Sequence, residues 1–127
     1  MAITRIFPNG LNRPTNYTPV VRAGDTVYIA GQTATDDSGN VVGLGDFEAQ
    51  AQRVYQNIGT ALASVGATFA NLVKTTTYLT RAEDIETYRK VLGRNMSENL
   101  PSSTLLVISR LARPELFIEI EAVAVLD

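Results

Sequence analysis

The chain has 127 residues, 45% apolar and 19% charged, with 11 Lys and Arg against 13 Asp and Glu for a net charge of −2. This is the composition of an ordinary one-domain globular chain, and it supplies no electrostatic reason to bind nucleic acid. There is no His, Cys or Trp, which excludes Ser-His-Asp and Cys-His catalysis, disulfides, and metal centres that depend on imidazole or sulfur, leaving only all-oxygen sites for hard cations.

The first residues, MAITRIFPNG, hold neither a long apolar core nor a small-residue cleavage site, and no apolar run approaches about 18 residues. No signal peptide or membrane span is expected, and the cytoplasm is the default compartment. Ile3 to Phe7, Thr18 to Arg22 and Thr26 to Ala34 read as short strands, separated by turn residues such as Pro8-Asn9-Gly10 and Ala23-Gly24-Asp25. In the third, Val27, Ile29 and Gly31 alternate with Tyr28, Ala30 and Gln32. Asp36 to Asn40 is an exposed turn. From Asp46 the period changes: Phe47, Ala51, Val54, Ile58, Leu62 and Val65 recur every three or four residues, with Asp46 placed as N-cap and Gly66 as the stop. Asn71 to Thr80 reads as a strand. Asp84 is placed to cap a second helix with the stripe Ile85, Tyr88, Leu92 and Met96, and Pro101 blocks its continuation. Two strands close the chain, Ser103 to Ser109 and Leu116 to Leu126, with Arg113-Pro114-Glu115 turning between them.

The last strand is the most informative, because side chains alternate between faces. Ile118, Ile120, Ala122, Ala124 and Leu126 form one apolar face, which belongs against the helices. The other reads Phe117, Glu119, Glu121, Val123, Val125: apolar at both ends, acidic within. Such a face is not simply solvated, and its carboxylates need partners or water. An oligomer in which these second faces meet is expected.

Glu119 and Glu121 lie about 7 Å apart along one face, from roughly 3.3 Å of rise per residue. Paired carboxylates serve as acid and base, or both make structural contacts to Arg or Tyr across a subunit boundary. Ser102-Ser103-Thr104 offers hydroxyls that bind an anion or satisfy local backbone groups. Arg89, Lys90 and Arg94 lie on the second helix, where Glu86 and Lys90 have favourable i,i+4 spacing on a solvated face. Tyr17 is suited to packing or to bonding a ligand. No Gly-rich phosphate loop is present.

The ordered set Tyr17, TVYIAGQTA (Thr26 to Ala34), GATFANLVKTTTYL (Gly66 to Leu79), Pro101-Ser102-Ser103-Thr104 and FIEIEAVAV (Phe117 to Val125) resembles the reactive intermediate deaminase family, known as RidA or YjgF. Some of its members carry the older label endoribonuclease L-PSP. The resemblance spans essentially the whole chain. It implies an α+β, chorismate-mutase-like subunit: a mixed sheet of about six strands with two helices on one face. It further implies a homotrimer with inward-facing sheets and a small-molecule cleft at each subunit boundary, needing no metal or organic cofactor.

Active members of that family hydrolyse reactive imines and enamines to carbonyl compounds and ammonia. The resemblance assigns Glu119 and Tyr17 to catalysis, Glu119 positioning the attacking water. Gly31, Ser103, Thr104, Leu105 and Arg89 would hold the substrate. One position departs: the family pattern Pro-Ala-Arg-Ser is here Pro101-Ser102-Ser103-Thr104, so Ser103 stands where an Arg binds the substrate carboxylate. A guanidinium gives two parallel charge-assisted bonds where Ser gives one neutral donor. Arg89, at a cleft-facing position of the resemblance, is the candidate replacement charge, or else the ion-pair partner of Glu119. Two other functions fit the resemblance. One is a non-catalytic ligand-binding or chaperone-like trimer, which the missing Arg favours. The other is an endoribonuclease, which the acidic balance and the absence of His oppose.

Overall fold

The computed structural model describes residues 2–127. Six strands form one sheet: β1 (Ile3–Ile6), β2 (Val20–Ala23), β3 (Thr26–Gln32), β4 (Leu72–Leu79), β5 (Ser102–Val107) and β6 (Ile118–Val125). Their order is β1-β2-β3-β6-β4-β5, with every neighbouring pair antiparallel except β4 and β5. Two helices, α1 (Phe47–Ala63) and α2 (Ile85–Asn95), pack side by side, and α1 lies on β3 and β6. The expected α+β subunit with a six-stranded mixed sheet and two helices is therefore the observed one. Among the described residues no helix is long and apolar enough to cross a membrane.

The long helix starts and stops as its sequence dictates. The Asp46 carboxylate accepts from the Ala49 amide at 3.1 Å, satisfying an orphan donor of the first turn. At the other end Gly66 adopts φ +72°, and the amides of Ala67 and Gly66 return to the carbonyls of Leu62 and Ala63. This is a Schellman closure, which favours a residue without Cβ. The second helix departs from expectation. Asp84 makes no side-chain cap; it ends a single 3-10 turn (Ala82–Asp84), and its carboxylate accepts from Arg81 Nε at 2.7 Å and Nη2 at 3.1 Å. A bidentate charged donor outcompetes a neutral amide for the same oxygens. On α2 the fully covered residues are Tyr88 and Val91, with Ile85 and Leu92 half-buried and Met96 just past the end.

Along β6, Ile118, Ile120, Ala122 and Ala124 are sealed against the helices, whereas Leu126 is half-buried. The α1 stripe facing them is not wholly apolar. Gln50 and Asn57, two turns apart on one side of the helix, are buried and fully bonded. Gln50 donates to the carbonyls of Glu115 and Gly43 and accepts the Phe117 amide at 2.8 Å. Asn57 donates to the carbonyls of Thr33 and Thr35, both at 3.0 Å. One helix thus pins the entry to β6 and the exit from β3, the two segments that frame the site.

The alternation expected in β3 breaks part-way. Ile29 pairs with Ala122 but Gln32 pairs with Ile120, so Ala30 and Gly31 together oppose Glu121. This bulge inserts one extra residue and flips the parity of the residues beyond it. Gln32, expected on the face of Tyr28, turns to the buried side, while Gly31 takes the open face. Strand bounds also shift: β2 runs Val20–Ala23 in place of Thr18 to Arg22, β3 stops at Gln32, and β5 covers Ser102–Val107 in place of Ser103 to Ser109.

Candidate active site

The bulge places the Gly31 backbone directly beneath Glu119. A Cβ built at residue 31 would collide with the carboxylate, standing 2.8 Å from Cδ and 3.0 Å from Cγ of Glu119. A side chain at this position would have to displace the Glu119 carboxylate, whereas the backbone angle makes no demand for glycine. The side chain of Glu119 therefore lies folded over Gly31, half-buried, and among the described residues it makes no ion pair and accepts no hydrogen bond. Burial, and then the neighbouring charge of Glu121, raise its pKa above the ordinary carboxylate value. Glu121, on the same face, differs: it is exposed and accepts the Tyr78 hydroxyl at 2.6 Å. That carboxylate in turn holds the Tyr78 phenol above its usual pKa.

Glu119 forms part of two cavities on either side of Gly31. The larger, of about 550 Å³, brings in Tyr17, Gln32, Asn57 and Arg113. The smaller, of about 310 Å³, is lined by Tyr78, Arg110 and Glu121. Tyr17, Gly31 and Glu119 are thus brought together, as the sequence suggests. A carboxylate with no internal partner, a phenol and an open volume form a site able to bind water beside a small polar molecule and to take a proton from it.

The remaining candidates lie elsewhere in the protomer. Ser103 pairs with Thr75, whose hydroxyl donates to Ser103 Oγ at 3.3 Å, so Ser103 is turned to the helix side of the edge strand. Leu105 pairs with Thr77 on that same side. Thr104 pairs with Thr76, which itself pairs with Glu121, so Thr104 shares the open face two strands away. Arg89 is exposed on α2, across the sheet from Glu119, and forms no ion pair among the described residues. It is not the partner of Glu119 within the protomer. Two lining residues escape sequence reasoning. Asn57 sits on the same helical stripe as Phe47 and Val54, but an apolar periodicity count passes over it. Arg113 reads in the sequence as part of a turn, and in the resemblance it matches a position other than that of the missing Arg.

The family model described as Endoribonuclease L-PSP matches residues 9–126. The chain belongs to this family. A RutC family protein of Pyrococcus abyssi is 30% identical over 125 residues, covering 98% of each chain. The human 2-iminobutanoate/2-iminopropanoate deaminase is 31% identical over 109 residues, 86% of this chain and 79% of that one. Among solved structures of the family, RidA from the Antarctic bacterium Psychrobacter sp. PAMC 21119 superposes with a TM-score of 0.88 at 27% identity, covering 97% of this chain and 98% of that one. The six-stranded sheet and paired helices are thus the L-PSP family fold, and Glu119 stands on its last strand.

Proposed function

We propose that this protein hydrolyses reactive imines or enamines of small metabolites to carbonyl compounds and ammonia. The observation that carries this reading is the half-buried, unpartnered Glu119 folded over Gly31 beside Tyr17, in a family that includes a named 2-imino acid deaminase. Glu119 takes a proton from water as the water oxygen bonds to the imine carbon, and the C=N nitrogen gains a proton. The resulting carbinolamine collapses: its hydroxyl proton passes to the nitrogen by way of Glu119, the C–N bond breaks, and carbonyl and ammonia separate. The raised pKa of Glu119 makes it a stronger base than an exposed carboxylate. Tyr17, about half exposed at 53%, closes one side of the cavity.

We further propose assembly as a trimer through the open sheet face and the free edge of β5, supported by the exposed Tyr28, Leu106, Val107 and Val125. In that assembly Ser103, Thr104, Leu105 or Arg89 of a neighbouring subunit would reach the Glu119 cavity. Analytical ultracentrifugation tests the trimer, and a monomer at micromolar concentration counts against it.

The activity test generates a 2-imino acid in situ with an amino-acid oxidase and follows its disappearance. The protein should accelerate hydrolysis over the spontaneous rate, and Glu119→Gln should lose about 10²-fold or more, the usual worth of a positioned general base. No acceleration by the wild type would sink the reading for those substrates. A second reading, a non-catalytic ligand-binding or chaperone-like trimer, is favoured by Ser103, which offers no charge. Activity gained in Ser103→Arg would show a working frame that lacks only its anchor.

A further inference from the structure

Arg113 stands in the turn before β6 and lines the same 550 Å³ cavity as Glu119, Tyr17 and Gly31. Its guanidinium is held at two of its three nitrogens: Nη1 donates to the Gly39 carbonyl at 2.8 Å, and Nε donates to Glu115 Oε1 at 3.2 Å. The Gly39 carbonyl is itself held in place, because Asp36 Oδ1 accepts the amides of Ser38 and Asn40 and so fixes the turn. This leaves Nη2 and one hydrogen of Nη1 without a protein acceptor among the described residues. Arg110, in the neighbouring cavity, is spent differently, its Nε and Nη2 folding onto the carbonyls of Leu111 and Ala112 in its own loop.

Arg113 and Glu119 share a cavity yet do not pair. They form no ion pair, and only burial and Glu121 move the Glu119 carboxyl. A fixed cation on one wall and an unpaired carboxylate on another, with open volume between, suit a small molecule that carries an anionic group beside an electrophilic carbon. We propose that Arg113 anchors the carboxylate of the ligand in the Glu119 cavity, from the same protomer, and so supplies the charge that Ser103 lacks. The inference rests on reading the Glu119 cavity as the site of imine hydrolysis and adds its anion anchor. The unused Nη2 group presents charged donors of the kind a carboxylate takes. Glu115 competes for the guanidinium and holds its affinity for an added anion down.

The test titrates pyruvate into the full chain, followed by NMR shifts of the Tyr17 and Gly31 amides, with melting curves to verify folding of each variant. Arg113→Gln should weaken binding about tenfold or more, the worth of a charge-assisted bond. Arg113→Lys, which keeps the charge and loses the guanidinium, should fall between. Glu115→Gln should tighten binding several-fold, a direction that damage to the turn would not produce. Arg94→Gln, the same charge change on α2 where Arg94 pairs with Glu48 outside the cavity, should bind as wild type. Wild type that does not bind pyruvate at tens of millimolar, Arg113→Gln that binds as wild type, or a loss confined to Arg110→Gln would each overturn the proposal. Because binding is read without turnover, Arg113-dependent binding by a protein that accelerates no imine hydrolysis would keep the anchor and discard the reaction.

Discussion

On the helix-covered side of the sheet, Ile118, Ile120, Ala122 and Ala124 are sealed from solvent, and the polar groups among them are bonded throughout. Gln50 and Asn57 hold backbone carbonyls, and Tyr55, Tyr88 and Thr77 join hydroxyls across α1, α2 and β4. On the open side of the same strand Glu119 is half-buried and has no bonding partner among the described residues. The two sides differ by one residue of register, yet one holds only satisfied groups and the other leaves a carboxylate available. On the proposed function, stability and reactivity fall to alternate residues of one strand, so substitutions should separate them cleanly.

The largest separation is expected at Ile120, which lies between the two glutamates in sequence but is fully buried on the other face. Ile120→Ala should destabilise the fold by about 2–5 kcal/mol through lost burial and the cavity left behind. Turnover per folded molecule should change little. Urea unfolding and activity at low denaturant check the two halves, and a parallel loss of both would break the comparison.

Gly31→Ala probes the opposite side. The added methyl must displace the Glu119 carboxylate, because the atoms it meets are Cγ, Cδ and an oxygen of that flexible side chain and not backbone. Misplacing a catalytic group by about 1 Å costs on the order of 10²-fold, so imine hydrolysis should fall by about that factor. The melting temperature should move little, since the methyl enters the open cavity. A stable variant with full activity would show that the position of Glu119 over Gly31 is not needed.

Much of this arrangement is legible in the sequence. The 3.6-residue stripe from Phe47 to Val65, its Asp46 cap and its Gly66 stop obey local rules that tertiary contacts only reinforce. The strict alternation of β6 places Glu119 opposite a buried face, and the resemblance joins it to Tyr17 and Gly31. The bulge at Ala30 and Gly31 is hidden, because one extra residue leaves no mark in an alternation of mixed small and polar side chains. Asp84 reads as a cap until Arg81 is seen to reach it. Gln50 and Asn57 belong to the buried stripe while breaking its hydrophobic pattern, so their use as clamps depends on carbonyls from distant segments. Arg113 likewise enters the site only because its loop folds against the turn at Gly39, 74 residues earlier in the chain.

The smallest effect tests the open side most directly. In the unfolded chain Glu119 titrates near the ordinary value of 4.5, whereas in the fold burial and then Glu121 raise its pKa. Between those two values the native state binds more protons than the unfolded state, so stability falls as pH rises through that window. Above it the ionised carboxylate is a constant cost, and below it the cost vanishes. Glu119→Gln should therefore melt higher than wild type at pH 7.5 and match it at pH 4. Glu121→Gln, which removes the neighbouring charge, should shrink that advantage and move the acidic limb of kcat/KM to lower pH. A Glu119→Gln variant that melts lower than wild type at neutral pH would mean that the ionised carboxylate is held by a partner, as on an assembled subunit boundary. The contrast between the two faces would then belong to the protomer alone.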